Sequence, residues 1–280
     1  NNATDKSTTW KSSNTSVVKV NGNGKVTAAK AGSAAIIASC GGKDAYCNVT
    51  VKAKEVQPTP SSVSSTAATA SPTSSSLTST TGTHAGHEWV DLGLSVKWAT
   101  CNVGASSPEG YGSYFAWGET SPKSEYTWAN LKYRTEGEML NAKFSKYVAS
   151  SEYGPVDNKT TLELSDDAAR ANWGGSWRMP TIAEFEELID NCTWTWTKMN
   201  GKNGYKVVSK SNGNSIFLPA AGFRHFKVLL DAGSFGLYWS SSLDESYSFN
   251  APNLDFDTTG SRHTNNYSRV SGLSVRPVFR

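Results

Sequence analysis

The chain has 280 residues, of which 37% are apolar and 18% are charged, and its formal net charge is +3. Both fractions are low for a globular chain, and the charge is spread without a basic run, so we expect no nucleic-acid partner. No apolar run approaches the roughly 20 residues that cross a bilayer, so we expect no direct membrane insertion. No signal peptide opens the chain, and Asn1 does not look like a natural start.

Residues 1–53 are predicted to be all-β. Short runs rich in β-branched residues are separated by turn residues, as where Val17-Val18-Lys19-Val20 precedes Asn21-Gly22-Asn23-Gly24. Later runs of the same kind follow at 25–27, 34–38 and 48–51. Strands this short, at turn-punctuated spacing, favour a β-sandwich.

The pattern that begins at Trp10, W-K-S-S-N-x-S-V-V-x-V and then G-x-V-T-A, closely resembles the bacterial Ig-like domains of group 2. The resemblance implies a cell-surface spacer module without catalytic residues. Members of that family begin with further strands upstream of the position of Trp10. We therefore expect residues 1–53 to form a partial sandwich with an exposed edge or an unfilled core.

Residues 54–86 are predicted to be a linker. Twenty of the twenty-seven residues from Gln57 to Thr83 are Ser, Thr or Pro. A segment of this composition cannot bury enough apolar surface to offset its ordering entropy, and such tracts also serve as O-glycosylated stalks. In either case we expect the segment to separate two folded modules.

Residues 87–280 are predicted to form a mixed α+β domain. One short helix is expected at 165–171, with Ser165 as its N-cap, and a longer one at 180–190, where Thr181 and Glu184 form a capping box. Nine of the ten tryptophans lie in this domain. Most of them are assigned to its core, including Trp98, Trp117, Trp177 and Trp239.

Seven motifs occur in order along this domain, and they start at His87, Trp98, Tyr114, Trp177, Phe217, Tyr238 and Ser274. Together they resemble the Fibrobacter major paralogous domain over essentially residues 87–279. The run from Arg178 to Glu186 is also similar to a signature of formylglycine-generating-enzyme-like proteins. Both resemblances imply a C-type-lectin-like fold, in which the last strands and loops form the ligand surface. No cysteine follows Cys192, so the activity of those enzymes is not carried over.

The stretch from Tyr238 to Arg280 interleaves framework residues with small, polar or aromatic ones. Alternation is strict from Asn253 to Asp257. A strand there would direct Leu254 and Phe256 to one face, and Asp255 and Asp257 to the other. We therefore expect an apolar backing that displays a polar and aromatic surface for a ligand.

The final thirty-five residues, from Ser246 to Arg280, contain no Lys, Glu, Gln, Trp or Met, although these types make up 46 of the 280 residues and about six would be expected by composition, with no physical rule against them in exposed loops. An Asn codon, AAC or AAT, that is randomised only at its adenines can encode fifteen residue types, but none of these five. The stretch therefore looks like the variable region of proteins diversified by retroelement-driven, adenine-specific mutagenesis. An undiversified Ser- and Asn-rich binding loop is the alternative.

The candidate ligand-binding residues all lie in this closing stretch. They are Leu237, Asp244, Ser246, Tyr247, Ser248, Phe249, Pro252, Asp255, Asp257, Ser261, Arg262, His263, Thr264, Asn265, Asn266 and Tyr267. Aromatic side chains would supply contact area at low entropy cost, and Ser, Asn and Asp would supply adaptable hydrogen bonds, as in antibody loops.

Metal and redox chemistry have little support in the sequence. His84 and His87 stand in the wrong order for a metalloprotease motif, and no Cys-x-x-Cys spacing occurs. Asp255 and Asp257 have the chemistry of calcium ligands or paired acids, but ordinary exposed binding residues are the preferred interpretation. No cofactor is expected. Cys40 and Cys47 could face each other across a hairpin and form a disulfide, whereas Cys101 with Cys192 could be a disulfide or two thiols.

These features favour a non-enzymatic, surface-displayed ligand-binding protein, an adhesin or receptor-binding protein. The expected partner is a protein or glycan on another cell or host surface, and the expected location is extracellular, on a bacterial cell surface or a phage particle. The alternative is a carbohydrate-active enzyme or an undiversified carbohydrate-binding surface protein. An enzyme would need a concave pocket with convergent acids, for example Glu119 or Asp91 with a second acid.

Overall fold

Strands dominate both parts of this chain, and helices are few. The computed structural model describes residues 8–12, 15, 17–30, 32–40, 43–51 and 80–280. Contacts within the chain divide it into two units, Asn1–Thr73 and Ser74–Arg280. Residues 52–79, which make up most of the predicted linker, lie outside the described residues.

Five strands occur among the described residues of the first unit. They are β1 (Thr9–Ser12), β2 (Val18–Val20), β3 (Val26–Ala28), β4 (Gly32–Cys40) and β5 (Lys43–Val51). β1, β4 and β5 form one antiparallel sheet in that order, and β2 pairs with β3.

Among the described side chains of this unit, the apolar cluster is small. Val17, Val18 and Ile36 are buried, and Trp10 packs against them. The Trp10 indole also covers Gly24, where a Cβ atom would lie 2.8 Å from the ring and where φ is +78°. Glycine is therefore the residue that allows this turn and this close approach. The all-β prediction for the first unit is confirmed in these strands.

The pairing of β4 with β5 bears on the predicted Cys40–Cys47 disulfide. Cys40 stands opposite Lys43, whereas Cys47 stands opposite Ile36. The two cysteines are thus offset by four residues along the ladder, about 13 Å at the usual strand rise, which is too far for a disulfide. Cys40 is an exposed free thiol. The expectation that the two cysteines face each other is wrong because the hairpin turns immediately after Cys40.

Fourteen further strands and two α-helices occur in residues 80–280, the described part of the second unit. The strands are β6 (Thr81–His84), β7 (His87–Val90), β8 (Lys97–Ala99), β9 (Arg134–Glu136), β10 (Lys143–Phe144), β11 (Cys192–Met199), β12 (Lys202–Ser209), β13 (Ser215–Pro219), β14 (Phe223–His225), β15 (Val228–Leu230), β16 (Phe235–Trp239), β17 (Asn250–Asp257), β18 (Arg262–Ser268) and β19 (Val278–Phe279). The helices are α1 (Ala168–Trp173) and α2 (Ile182–Asn191), and single 3₁₀ turns lie at Trp128–Asn130, Met139–Asn141 and Leu164–Asp166.

One sheet joins the two ends of the second unit. Its order is β19-β8-β7-β6, and Val278 near the C-terminus stands opposite Trp98. β6 pairs with β7 over four residues, from Thr81 to His84. These four residues had been assigned to the linker, so the sheet begins six residues before the expected domain start at residue 87. Composition alone did not reveal β6 because its Thr and Gly residues are typical of the linker as well.

The predicted capping box of α2 is present. The Thr181 hydroxyl accepts the Glu184 N–H, and the Glu184 carboxylate accepts the Thr181 N–H at 2.8 Å. Glu184 also receives two hydrogen bonds from the Arg178 guanidinium, at 2.8 and 2.5 Å. α1 begins later than predicted: its N-cap is Asp167, whose side chain accepts the Arg170 N–H, and not Ser165.

Two large apolar clusters fill the second unit, and a three-stranded sheet of order β16-β17-β18 lies between them. Tyr238, Leu254 and Phe256 belong to the first cluster. Leu237 and Trp239 belong to the second. Because strand residues alternate between faces, β17 and its neighbour β16 are covered on both sides.

The four tryptophans that were assigned to the core are buried. Trp98, Trp177 and Trp239 are fully inaccessible, and Trp117 is 3% exposed. The indole N–H groups of Trp117 and Trp239 donate to main-chain carbonyls at 2.9 and 2.7 Å. Burying the rings of Trp117 and Trp239 is compatible with their polar N–H groups because both are hydrogen-bonded, whereas Nε1 of Trp98 is buried without a partner among the described residues.

Candidate ligand-binding face

Side chains on one face of β18 form the part of the predicted site that reaches the surface. His263 and Asn265 are exposed, and Tyr267 is half-buried. Each stands opposite a residue of β17, in the pairs Asp255–His263 and Asn253–Asn265. Because alternate residues share a face, His263, Asn265 and Tyr267 lie side by side. These three residues are called the β18 face below.

A buried carboxylate lies beneath the β18 face. Asp255 is 4% exposed. Its Oδ1 lies 3.1 Å from Nε2 of His263, and its Oδ2 accepts a hydrogen bond from Asn265 at 2.9 Å. Burial raises the pKa of Asp255, although the Asn265 amide and the His263 ring act in the opposite direction. One acid of β17 thus holds Asn265 by a hydrogen bond and lies in contact with His263, although its Oδ1 has no hydrogen-bond partner among the described residues.

Asn253 is a second buried polar residue below the same face. It is fully inaccessible and stands between Trp239 on β16 and Asn265 on β18. Neither atom of its side-chain amide has a hydrogen-bond partner among the described residues. Such a group is costly to bury. The polar layer under the β18 face therefore has unused donor and acceptor capacity.

Five of the predicted binding side chains are buried, which corrects their assignment to an exposed surface. They are Leu237, Asp244, Ser248, Pro252 and Asp255. The strict alternation in β17 would leave one face in water only if that face were uncovered, but β17 is the middle strand and its two faces meet different clusters. Leu254 and Phe256 pack as expected, whereas Asp255 lies under His263 instead of in solvent.

The loop before β17 places one aromatic side chain on the surface. Oδ1 of Asp244 accepts the N–H groups of Ser246 and Tyr247 at 2.9 and 3.0 Å, which fixes the turn. Ser246 is exposed, and the Tyr247 ring is 51% exposed with its centroid 5.5 Å from that of Phe249. Phe249 is half-buried and packs edge-on against Tyr153 at 5.8 Å. Tyr247 therefore projects into solvent from a loop whose conformation is fixed by the Asp244 hydrogen bonds and by the packing of Phe249.

The turn between β17 and β18 carries two further predicted residues. Asp257 is half-buried, and its Oδ1 accepts the Thr259 N–H at 2.7 Å and the Thr259 hydroxyl at 2.6 Å. The hydroxyl bond is the main reason that the pKa of Asp257 is lowered. Ser261 is exposed and its hydroxyl lies 3.3 Å from Nδ1 of His263. Asp257 therefore shapes the turn at one end of the β18 face.

The remaining predicted residues of β18 lie on its opposite face. The Arg262 guanidinium lies 5.9 Å from the centre of the Trp194 ring. The Thr264 hydroxyl lies 3.4 Å from a carboxylate oxygen of Glu186 on α2. Asn266 is exposed. The sixteen predicted residues therefore do not form a single patch: one group forms the β18 face, and another covers α2.

The β14–β15 hairpin beside the β18 face was missed in the sequence. The Phe223 ring meets the Tyr267 ring at 5.3 Å, edge to face. Phe226, Val228 and Leu230 of the same hairpin are 50%, 55% and 36% exposed. The signal in the sequence was weak, because Arg224, His225 and Lys227 interrupt the apolar residues of this segment, and only the fold brings it next to Tyr267.

The grooves of the second unit hold acids that serve the fold. One groove of about 780 Å³ is lined by Asp167, Glu184 and Glu187, among others. Asp167 accepts main-chain N–H groups, Glu184 caps α2, and Glu187 accepts the N–H and hydroxyl of Ser95. Burial raises the pKa of Asp167. These carboxylates are already hydrogen-bonded as structural groups.

Glu119 and Asp91, the acids named for the enzyme alternative, do not meet a second acid. Within the described residues, the groove at Glu119 is lined otherwise by Ser, Thr, Asn and Lys, and Lys123 lies 3.0 Å from the Glu119 carboxylate. Oδ1 of Asp91 accepts the Gly93 N–H at 2.8 Å. Neither arrangement resembles a general acid–base pair.

Histidine and cysteine side chains also have structural contacts. His84 accepts the Ser176 N–H at 2.9 Å and stacks on Phe279, and His87 stacks on Trp173 at 3.7 Å. No cluster of three or more potential metal ligands occurs in the described part of the chain. Cys101 and Cys192 are free thiols, and burial raises the pKa of Cys192 to about 11.

Comparison with known proteins gives one match. The family model of the bacterial Ig-like domain (group 2) matches residues 1–49. No curated protein and no solved structure matches the chain. Within the described residues, no helix has the length and apolar character needed to cross a bilayer. The first unit is therefore similar to bacterial Ig-like domains, and the likeness ends before the second unit begins.

Proposed function

We propose that the second unit is a ligand-binding domain of the C-type-lectin-like kind, and that it recognises its ligand through the β18 face and the exposed Tyr247. The proposal rests on a difference in burial between the strands of one small sheet. β16 and β17 are packed on both sides, whereas His263 and Asn265 of β18 stand exposed above a buried polar layer. A rigid backing with exposed, hydrogen-bonding side chains is the arrangement that recognition needs.

The residue types on this surface fit adaptable recognition. Tyr247 and Tyr267 provide aromatic area with few rotatable bonds, and His263 and Asn265 provide donors and acceptors. The absence of Lys, Glu, Gln, Trp and Met from the last thirty-five residues fits mutagenesis limited to adenines. Diversification by a retroelement would thus change these side chains while the buried strands keep the fold.

The first unit supports a surface location for this domain. Ig-like domains of this group occur in bacterial surface and extracellular proteins. A spacer of this kind, followed by a segment rich in Ser, Thr and Pro, would hold a recognition domain away from the surface that carries it. We infer an adhesin or receptor-binding protein without enzymatic activity, whose ligand is a protein or glycan on another surface.

The DNA next to the coding sequence tests the diversification. We expect a near-copy of the segment that encodes residues 246–280, close to a reverse-transcriptase gene, with differences confined to adenines of the copy. Differences spread over all four bases, or the lack of such a copy in the complete source genome, would favour an undiversified binding loop. The binding function of the β18 face is tested separately, by the array measurement that closes the Discussion.

A further inference from the structure

The outer edge of β18 carries a row of main-chain groups with which no strand of the described residues pairs. β18 is the last strand of the β16-β17-β18 sheet, so only its inner side is paired with β17. Its seven residues, Arg262–Ser268, include neither Lys nor Pro. Lys and Pro are the residues with which proteins commonly protect an unpaired edge strand against strand addition.

Hydrogen bonds on β17 show which residues of β18 direct their main chain outward. The Ser240 N–H donates to the Pro252 carbonyl at 3.1 Å, so Pro252 directs its main chain toward β16. Asn266, which stands opposite Pro252, must then direct its own N–H and C=O away from β17. Because an antiparallel ladder alternates, Thr264 and Arg262 do the same.

Some of the outward main-chain groups of β18 already have hydrogen-bond partners within the chain. At one end, the Ser268 carbonyl accepts the Ser271 N–H at 3.0 Å. The Asn266 N–H is held by Oδ1 of Asn265 at 2.9 Å. No hydrogen bond among the described residues uses the other outward groups, which are the N–H and C=O of Arg262, the N–H and C=O of Thr264 and the C=O of Asn266.

The spacing of the unpaired main-chain groups of β18 indicates which class of partner they fit. Outward residues two apart in a strand repeat at about 6.8 Å, and an extended polypeptide repeats its own donors and acceptors at the same interval. A glycan has no such regular alternation. Asn265 and Asn266 are exposed on opposite faces of β18, and α2 lies against the face that carries Thr264.

We propose that β18 binds an extended segment of a protein ligand as an additional strand of the β16-β17-β18 sheet. This inference rests on the proposed binding function of the β18 face, and it assigns the ligand to the protein class. Main-chain bonds would supply affinity, whereas the side chains of Asn265 and Tyr267 would contact alternate side chains of the guest. Main-chain pairing is independent of side-chain identity, so it would survive diversification of the strand.

Proline substitution at the outward positions tests the inference. Thr264→Pro removes an outward N–H but no bond to β17, because the main chain of Thr264 faces away from it. Thr264→Ala is the matched control, since it retains the N–H and removes the same hydroxyl and methyl group as the proline variant does. Asn266→Pro, opposite Pro252, is a weaker second variant, because the N–H that it removes is held by Oδ1 of Asn265 in the free chain.

The probes are linear peptides enriched on the wild-type full chain from a random phage-displayed library. We expect Thr264→Pro to weaken peptide binding by about tenfold, the equivalent of one lost hydrogen bond, Asn266→Pro to weaken it less, and Thr264→Ala to weaken it by less than about threefold. Hydrogen exchange should show the Thr264 amide unprotected in the free chain and protected with peptide, while the amides of His263 and Asn265 stay protected in every folded variant.

Different failures have different meanings. If His263→Ala/Asn265→Ala abolishes peptide binding but both proline variants bind as the wild type does, strand addition is overturned and the β18 face stands as the site. If none of these variants changes binding, both proposals are overturned. Failure to enrich any peptide, or a Thr264 amide that stays unprotected in the complex, also overturns strand addition.

Discussion

The carboxylate of Asp255 and the imidazole of His263 face each other across β17 and β18, with Oδ1 3.1 Å from Nε2. Asp255 is buried, and the His263 side chain is 54% exposed. One residue of the packed strand thus orients a side chain that the surface can offer to a ligand. The pair connects the fixed framework to the residues proposed to change.

Asp255 should make the stability of the second unit depend on pH. Its pKa is raised in the folded protein, first of all by burial. The folded state then binds a proton more tightly than the unfolded state, so the stability due to Asp255 is complete below the unfolded pKa, near 3.8, and is lost as the pH rises through the folded pKa. Urea unfolding at a series of pH values should show the free energy of unfolding falling as the pH rises above about 3.8 in the wild type. The fall should be smaller in Asp255→Asn.

Asp257 provides the matched control for that measurement. Its pKa is lowered, mainly by the Thr259 hydroxyl, so its contribution has the opposite sign and is lost as the pH falls. Asp257→Asn should therefore leave the downward slope above pH 3.8 in place. An unchanged slope in Asp255→Asn would show that another group causes the pH dependence.

Gly236 and Phe256 should be strongly coupled in a double-mutant cycle. They face each other across β16 and β17, and a Cβ atom on Gly236 would lie in the Phe256 ring. We expect Gly236→Ala to cost about 1–3 kcal/mol by overpacking and Phe256→Ala about 3–5 kcal/mol by loss of a core ring. The double variant should be less destabilised than the sum, because the truncated ring leaves room for the methyl group. Additive free energies of unfolding would contradict this contact.

Asp166 should be a large single contributor to stability. It is 2% exposed and accepts hydrogen bonds from Lys132, Tyr133, Lys146 and Tyr147, at 2.5–2.7 Å. Burial alone would raise its pKa, but these four donors outweigh burial and hold the pKa far below its usual range.

We expect Asp166→Asn to cost about 3 kcal/mol at neutral pH, because two lysines lose a buried partner. A depressed pKa stabilises the fold above the unfolded value, near 3.8, so the gap between wild type and variant should close as the pH falls below it. Glu163→Gln is the control: Glu163 shares Lys146 but is exposed, and it should change stability much less. If the difference in the free energy of unfolding between wild type and Asp166→Asn, measured in urea, did not change with pH, the charge of Asp166 would not be the cause of its stabilising effect.

The N-cap of α2 should be sensitive to the loss of one oxygen. Thr181→Ala removes the acceptor of the Glu184 N–H and should cost about 1 kcal/mol, whereas Thr181→Ser keeps that oxygen and should be close to neutral. Thermal unfolding of the two variants checks the difference. Equal losses in both would mean that the Thr181 methyl group, and not the cap, is the stabilising part.

Local signals in the sequence were sufficient for some elements. Thr181 and Glu184 lie three residues apart, and each side chain can reach the other's main-chain N–H, so the capping box of α2 was predictable without knowledge of the fold. The burial of Trp98, Trp177 and Trp239 followed from residue type. Leu254 and Phe256 were placed on one face by alternation alone.

The corrected predictions depend on contacts between distant parts of the chain. Alternation cannot show that β17 has a neighbour on each side, so the burial of Asp255 was not predictable from its own segment. The pairing of β6 with β7, and the offset between Cys40 and Cys47, depend on where each hairpin turns. The unpaired edge of β18 likewise depends on pairing between strands: Pro252 directs its main chain toward β16, so Asn266 opposite it directs its own outward. This register cannot be read from the sequence.

Binding of the full chain to arrays of purified cell-surface proteins and glycans tests the proposed function most directly. Wild type is compared with His263→Ala/Asn265→Ala on the β18 face, and with Thr193→Ala/Thr195→Ala, two exposed residues of β11. Each variant is first shown to unfold in one transition like the wild type. We predict that the wild type and the β11 variant bind the same ligands and that the β18 variant loses them. Ligands retained by the β18 variant, or lost equally in both variants, would contradict a ligand-binding role for this face.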